Sequence, residues 1–444
     1  MISSWRRKRA SRGAGGDGGN KRKLSELIVP NHFRCPISLE LMKDPVTLST
    51  GITYDRETIE KWIEAGNVTC PMTNQVLKSL EPIPNHTIRR MIQDWCVDNR
   101  SHGVERIPTP RIPINSDEVG TLLERLSMVR SPNECRDLVA KVSEAMKESE
   151  RNRRCIIGNG AGNTLSLVFQ SFSDSEGETV ISLLEDIMSL LTSVTPLEQQ
   201  AQENLKSPKS LERLVWFLIK GGLSGRRNAV MILKELVSSS KDQGKLIDSL
   251  LTIKGAMEGL VKLIKEPICP ASTKASLIVI YHMITSTHNS LSKSIVIGKF
   301  IDMSLVSLVL DILVDAEKSI CEKALGVLDG LCQSDKGRDA AYNQALAVPV
   351  VVKKILRVSD LATEFSVSIL WRLCQNEDRE DGGVLVEALQ VGAFQKLLLV
   401  LQVGWNINDR IKEKVTKILK LLNLYRGKVE CIESMDFKDL KRPF

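Results

Sequence analysis

CPISLELMKDPV (residues 35–46) and CPMT (residues 70–73) decide how this chain is read. Each looks like half of a zinc site, in which C-P-x-C would stand at both places. The second cysteine is replaced by Ser38 in one and by Thr73 in the other. Structural zinc takes four thiolate or imidazole ligands, and hydroxyls substitute for them poorly. His32 precedes Cys35 by three residues but brings no further ligand. The segment is instead rich in short polar and charged side chains: Ser38, Glu40, Asp44, Thr53, Asp55, Arg56, Thr69 and Thr73. Hydrogen bonds and ion pairs among them are expected to tie the two stretches together where metal would otherwise sit. Cys35 and Cys70 then read as buried packing thiols.

Around these stretches the pattern is that of a compact α+β unit over residues 28–102. PVTLSTGITY (residues 45–54) alternates as a hairpin about a Ser-Thr-Gly turn. Asp55 is expected to cap a short helix that Gly66 ends, with Ile59 and Ile63 on its core face and Trp62 beside them. A second helix begins after Pro84 with Asn85 as cap. Ile88, Met91, Ile92 and Trp95 are its expected buried stripe.

The bulk numbers agree with a mainly helical protein. Of 444 residues 42% are hydrophobic and only 4% aromatic. The net charge of +7 lacks the interleaved aromatics of a nucleic-acid binder, so no nucleic-acid partner is expected. Ten cysteines form no regular framework, which suits a reduced protein of the cytosol or nucleus. The most apolar run, FQKLLLVLQVGW, is too short for a transmembrane segment. Residues 1–27 read as a disordered basic tail, whose WRRKR is solvated, a nuclear address or a lipid contact. Three prolines make residues 103–117 a linker, and residues 431–444 are a C-terminal tail.

Residues 118–430 are helical and repetitive. One apolar pattern recurs as CRDLVAKV at Cys135, VISLLEDI at Val180, AVMILKEL at Ala229, SLIVIYHM at Ser276, ALGVLDGL at Ala324, SVSILWRL at Ser366 and VTKILKLL at Val415. The starts lie 42 to 49 residues apart, in or near the HEAT/armadillo range. A second apolar helix precedes most copies. Such pairs bury their faces only by stacking, and the stack offers a concave groove for partners rather than a reaction centre. No P-loop, HExxH or GxSxG motif is present. GNGAGN (residues 158–163) follows no strand and reads as an inter-repeat turn. Cys332 and Cys374 read as packing residues.

With CPI, DPV, GxTYDR, the helical Trp and TCPxT in place and in order, residues 28–102 closely resemble a U-box, the metal-free relative of the RING domain. The rest resembles the armadillo repeats that follow the U-box in a large group of plant ubiquitin ligases. The resemblance implies a small metal-free RING-like domain followed by a right-handed armadillo-type α-solenoid. It also implies a ubiquitin-protein ligase with no covalent ubiquitin intermediate, no catalytic nucleophile, no metal and no cofactor. The U-box would bind a ubiquitin-charged conjugating enzyme, and the repeats a protein substrate. Ile37, Leu39, Trp62 and Pro71 resemble the conjugating-enzyme contacts. Asn74 stands where many relatives place an Arg that bridges to ubiquitin. Cys35, Ser38, Glu40, Asp55, Arg56, Cys70 and Thr73 would be structural. Homodimerisation is left open, and the group implied is linked to stress and immune signalling. The alternative is an armadillo scaffold or adaptor with a non-catalytic U-box. The single Trp in the repeat cores counts against an importin-like version of it.

Overall fold

The computed structural model describes residues 29–107, 114–239, 243–286, 290–375, 383–403 and 408–426. The expected basic tail, part of the linker (residues 108–113) and the C-terminal tail lie outside the described residues. The chain divides into two compact units, Met1–Ile112 and Pro113–Phe444.

In the first unit β1 (Pro45–Thr47) and β2 (Thr53–Asp55) form an antiparallel hairpin that pairs Val46 with Tyr54. Gly51 closes it at φ +79°, a conformation open to glycine at little cost. A short β3 (Ile83–Pro84) joins the other edge of β1, giving the order β2-β1-β3. The α1 helix (Arg56–Glu64) follows β2, and α2 (His86–Asp98) follows β3. The Asn85 side chain accepts from the Ile88 amide at 3.0 Å and so caps α2. Its amide nitrogen also reaches the Thr47 and Thr53 hydroxyls, at 3.1 and 3.3 Å, fixing the helix to the hairpin.

The core of this unit holds Phe33, Cys35, Met42, Val46, Leu48, Tyr54, Ile59, Cys70, Leu77, Ile92 and Cys96. Two expectations about its helices change. Met91 is exposed and Cys96 takes its place in the α2 stripe, because at 100° per residue 92 and 96 share a face that 91 leaves. Asp55 precedes α1 but makes no side-chain cap. Its carboxylate is engaged elsewhere, as described below.

The second unit is a stack of helices in three interleaved rows. The first row comprises α5 (Glu150–Gly158), α8 (Gln199–Leu205), α11 (Gln243–Thr252), α14 (Ser290–Asp302), α17 (Asp335–Tyr342) and α20 (Gly383–Gln390). The second comprises α3 (Ser116–Met128), α6 (Ala161–Phe172), α9 (Pro208–Lys220), α12 (Ala256–Lys265), α15 (Leu305–Asp315), α18 (Ala347–Lys354) and α21 (Ala393–Val403). The third comprises α4 (Pro132–Glu148), α7 (Glu178–Ser193), α10 (Leu223–Ser239), α13 (Pro270–Thr285), α16 (Lys318–Leu331), α19 (Asp360–Gln375) and α22 (Asp409–Tyr425).

All seven copies of the recurring pattern fall in the third row, and each third-row helix packs on the next. One hydrophobic core therefore runs through the unit, as expected where no repeat closes its own core. Glycine makes one crossing possible. At Gly326 on α16 a β-carbon would lie 3.2 Å from both Tyr281 of α13 and Phe365 of α19. Without it the two rings meet edge to face at 6.1 Å. The GNGAGN stretch spans the end of α5, the two-residue turn Asn159–Gly160 and the first turn of α6. No single described helix is long and apolar enough to cross a membrane.

Candidate functional site

The two stretches quoted first fold into the same loop. In residues 35–40 the Leu39 amide donates to the Cys35 carbonyl at 2.8 Å, and the Cys35 amide to the Glu40 carbonyl at 2.8 Å. In residues 70–75 Asn74 donates to Cys70, and Cys70 to Gln75, each also at 2.8 Å. A single antiparallel bridge closes each loop, Arg34 with Leu41 and Thr69 with Val76. Each turns through a left-handed residue, Leu39 at φ +59° and Asn74 at φ +56°. Ser38 and Thr73 hold equivalent places. Their hydroxyls accept from the backbone two residues on, Glu40 at 3.4 Å and Gln75 at 3.5 Å. They brace their own loops locally, as Ser/Thr turns do, rather than spanning between them. Glu40 is exposed and takes part through its backbone.

Strand β2 links the loops. The Asp55 amide reaches the Cys35 thiol, and the Tyr54 hydroxyl hydrogen-bonds Cys70 Sγ at 3.0 Å. The same hydroxyl accepts from the Met72 amide at 3.3 Å, and Thr50 donates to Cys70 Sγ at 3.4 Å. Both thiols are fully enclosed. Burial pushes the Cys70 thiol up, but hydrogen bonds from Thr50, Thr73 and Tyr54 overcome it and leave it lowered to about 6. Burial likewise opposes the backbone hydrogen bonds of Ser38, Asp55 and Ile37 at Cys35, which hold that thiol below its ordinary value. Tyr54 is driven well up, first by burial and then by its bond to Cys70.

Behind the first loop the ties are ionic. Asp44 takes Arg56 Nε at 2.7 Å on one oxygen and the Arg89 guanidinium on the other. Arg56 also reaches Glu60 at 3.5 Å. The Asp55 carboxylate accepts from the Lys43 and Asp44 amides, at 2.8 and 2.9 Å. Burial raises its pKa against those two bonds. The carboxylates of Asp44 and Asp55, two guanidiniums and two thiols thus hold the loops. Among the described residues no group of three or more His, Cys, Asp or Glu converges to hold a metal.

The loop tips are apolar and open. Ile37 is 37% exposed, Leu39 68% and Met72 58%. Pro71 follows Cys70 and is half-buried, and Asn74 is exposed. Trp62, half-buried on α1, donates its indole N–H to the Thr69 carbonyl at 2.8 Å, which ties the helix to the second loop. Met72, Tyr54, Arg89 and Thr50 were not singled out from the sequence. Setting CPISLE over CPMTNQ gives Met72 as the counterpart of Ile37. No local signal marks Arg89, which meets Asp44 only through the fold.

A metal-free RING-like loop pair on a three-stranded sheet, with an armadillo-type solenoid in the same chain, defines a U-box protein of the repeat-bearing class. The U-box domain profile matches residues 29–101, and that of the plant U-box protein ARM repeat region matches residues 118–442. U-box domain-containing protein 20 of Arabidopsis thaliana is 41% identical over 427 residues, covering 94% of this chain and 93% of the relative. U-box domain-containing protein 21 of the same plant is 42% identical, covering 95% and 94%. The E3 ubiquitin-protein ligase PUB23, also from Arabidopsis thaliana, is 34% identical, covering 89% and 93%. The chain belongs to the family of plant U-box proteins with a C-terminal armadillo-repeat region.

Proposed function

We propose that this chain is a ubiquitin-protein ligase whose U-box docks a ubiquitin-charged conjugating enzyme through Ile37, Leu39, Trp62 and Pro71. The observation that carries this is the pair of apolar tips, Ile37 and Leu39, exposed on a loop braced from beneath. A few anchored apolar side chains at the centre of a small contact suffice for a transient interface. Leu39 is the telling residue. A leucine in the left-handed conformation costs about 1–2 kcal/mol. Exposed to solvent there, it stabilises little in the folded chain, so its use is in contact with a partner.

Catalysis is by positioning. The U-box holds the thioester-linked ubiquitin so that a substrate lysine attacks it, with no bond to the ligase. None of the three U-box thiols, Cys35, Cys70 and Cys96, can reach a thioester, because all are enclosed. Asn74, exposed on the second loop, is the residue we assign to ubiquitin contact. It is shorter than arginine and uncharged, so its hold is weaker. The armadillo repeats recruit the protein substrate along the third-row helices. There Tyr281, Phe365, the Arg372–Asp329 pair at 3.3 Å and the Lys414–Ser368 bond at 2.8 Å span four repeats. Cys35, Cys70 and Cys96 of the U-box are in no disulfide, which suits a place in the cytosol or nucleus.

The test is reconstituted ubiquitination with activating enzyme, a panel of conjugating enzymes and a strong zinc chelator. Chains should form, survive chelation, and fall about tenfold or more in Ile37→Ala with the unfolding midpoint unchanged. Silence with every conjugating enzyme would favour the adaptor. Loss on chelation would mean a hidden metal.

A further inference from the structure

The second-row helices share a register that fails at one end of the stack. Align them on Ser210 of α9, Ala256 of α12, Leu305 of α15, Ala347 of α18 and Ala393 of α21. The residues one, five and eight places on form the face toward the following repeat. They are Leu211, Val215 and Leu218; Met257, Val261 and Ile264; Val306, Leu310 and Leu313; Val348, Val352 and Ile355. All twelve are at most 6% exposed. The cover comes from the next repeat. Leu218, for example, lies against α12 so closely that a β-carbon on Gly259 would sit 3.0 Å from it.

In α21 the same places hold Phe394, Leu398 and Leu401. Leu398 is 37% exposed and Leu401 40%, and Leu399 and Val403 beside them are 45% and 57% exposed. Terminal repeats of a solenoid need a polar outer face or a cover. This one keeps the apolar stripe of an interior repeat, so it is built for a cover.

The occupant is indicated by where the chain goes next. Helix α22 ends at Tyr425, and the guanidinium of Arg426 lies over the Phe394 ring, 5.3 Å from its centre. The described residues therefore end, at Arg426, beside the first residue of the open stripe. From there to Leu401 the stripe runs about 10 Å along the helix, within reach of a few residues. The sequence that follows, GKVECIESMDFKDLKRPF (residues 427–444), has Val429, Ile432, Met435, Phe437 and Leu440 set among charges. The armadillo-region profile also extends over it, to residue 442.

We propose that residues 427–444 lie along Phe394, Leu398 and Leu401 of α21 as a terminal cap, in the place that a following repeat takes in the interior. Stability in such stacks is a sum over neighbours, so the cap holds α20–α22 at one end of the substrate-recruiting row. Hydrogen exchange on the full-length protein, compared with Leu398→Gln/Leu401→Gln, is the test. In the wild type, amides of residues 429–440 should be protected about tenfold or more over an unstructured chain. In the double variant that protection should vanish while α13–α19 are unchanged. Equal protection in both proteins, or none in the wild type, would overturn the proposal. Protection of the α21 face that disappears on dilution would overturn it in favour of a second copy as the cover.

Discussion

The loops at residues 35–40 and 70–75 share one backbone and differ in what holds it and in what it displays. Beneath the first, beside the enclosed Cys35, lie charges: Asp44 between Arg56 and Arg89, with Asp55 on two amides. Beneath the second lies a thiol between hydroxyls, Cys70 with Tyr54 and Thr50. The left-handed position shows leucine in one and asparagine in the other. Asparagine tolerates that conformation readily and leucine does not. The same turn is thus strained where it presents an apolar tip and relaxed where it presents a polar one. Replacing a metal did not require one substitute chemistry, because each loop needs only enough enclosed polar bonds to hold the same turn.

The largest effect expected from this comparison is on the ionic side. Asp44→Ala leaves two guanidiniums facing each other and should cost about 3 kcal/mol in chemical denaturation. Tyr54→Phe, which removes one hydroxyl from the second loop, should cost about 1–2 kcal/mol. Equal losses would mean that the two loops are held alike.

Next comes pH. Cys70 titrates in the folded chain at about 6, below the ordinary thiol value of 9.0. Its contribution to stability is therefore complete above the ordinary value and is lost as pH falls through about 6. Thiolate absorbance of the wild type minus that of Cys70→Ser should show a midpoint near 6. A midpoint at or above the ordinary value would break the assignment.

The smallest effect is the most specific. Leu39→Gly should raise stability by up to about 1 kcal/mol while ubiquitin transfer falls. Asn74→Gly should shift stability by less than about 0.5 kcal/mol, because asparagine bears little strain there. Stabilisation by Leu39→Gly with full activity would remove Leu39 from the interface.

Much of this was legible in the sequence for physical reasons. Hydrophobic period, caps and turn residues act over a few positions, so the hairpin, both U-box helices and all seven third-row helices could be read from neighbours alone. The stripe of α2 differs from its sequence pattern at one residue, where 91 and 96 compete for a face that only packing decides. The equivalence of the two loops is written in CPISLE and CPMTNQ, although the two stretches by themselves show only a pair of incomplete metal half-sites.

What the sequence by itself determined is the division into a metal-free unit and a repeat stack, since missing ligands and repeated periods need no coordinates. Only the tertiary structure decided which polar groups replace the metal. Asp44 meets Arg89 across 45 positions and Tyr54 meets Cys70 across 16, and contacts at such separations leave no local pattern. It also decided that Asp55 serves the loop instead of capping α1, because one carboxylate within reach of both tasks takes the two amides that nothing else satisfies.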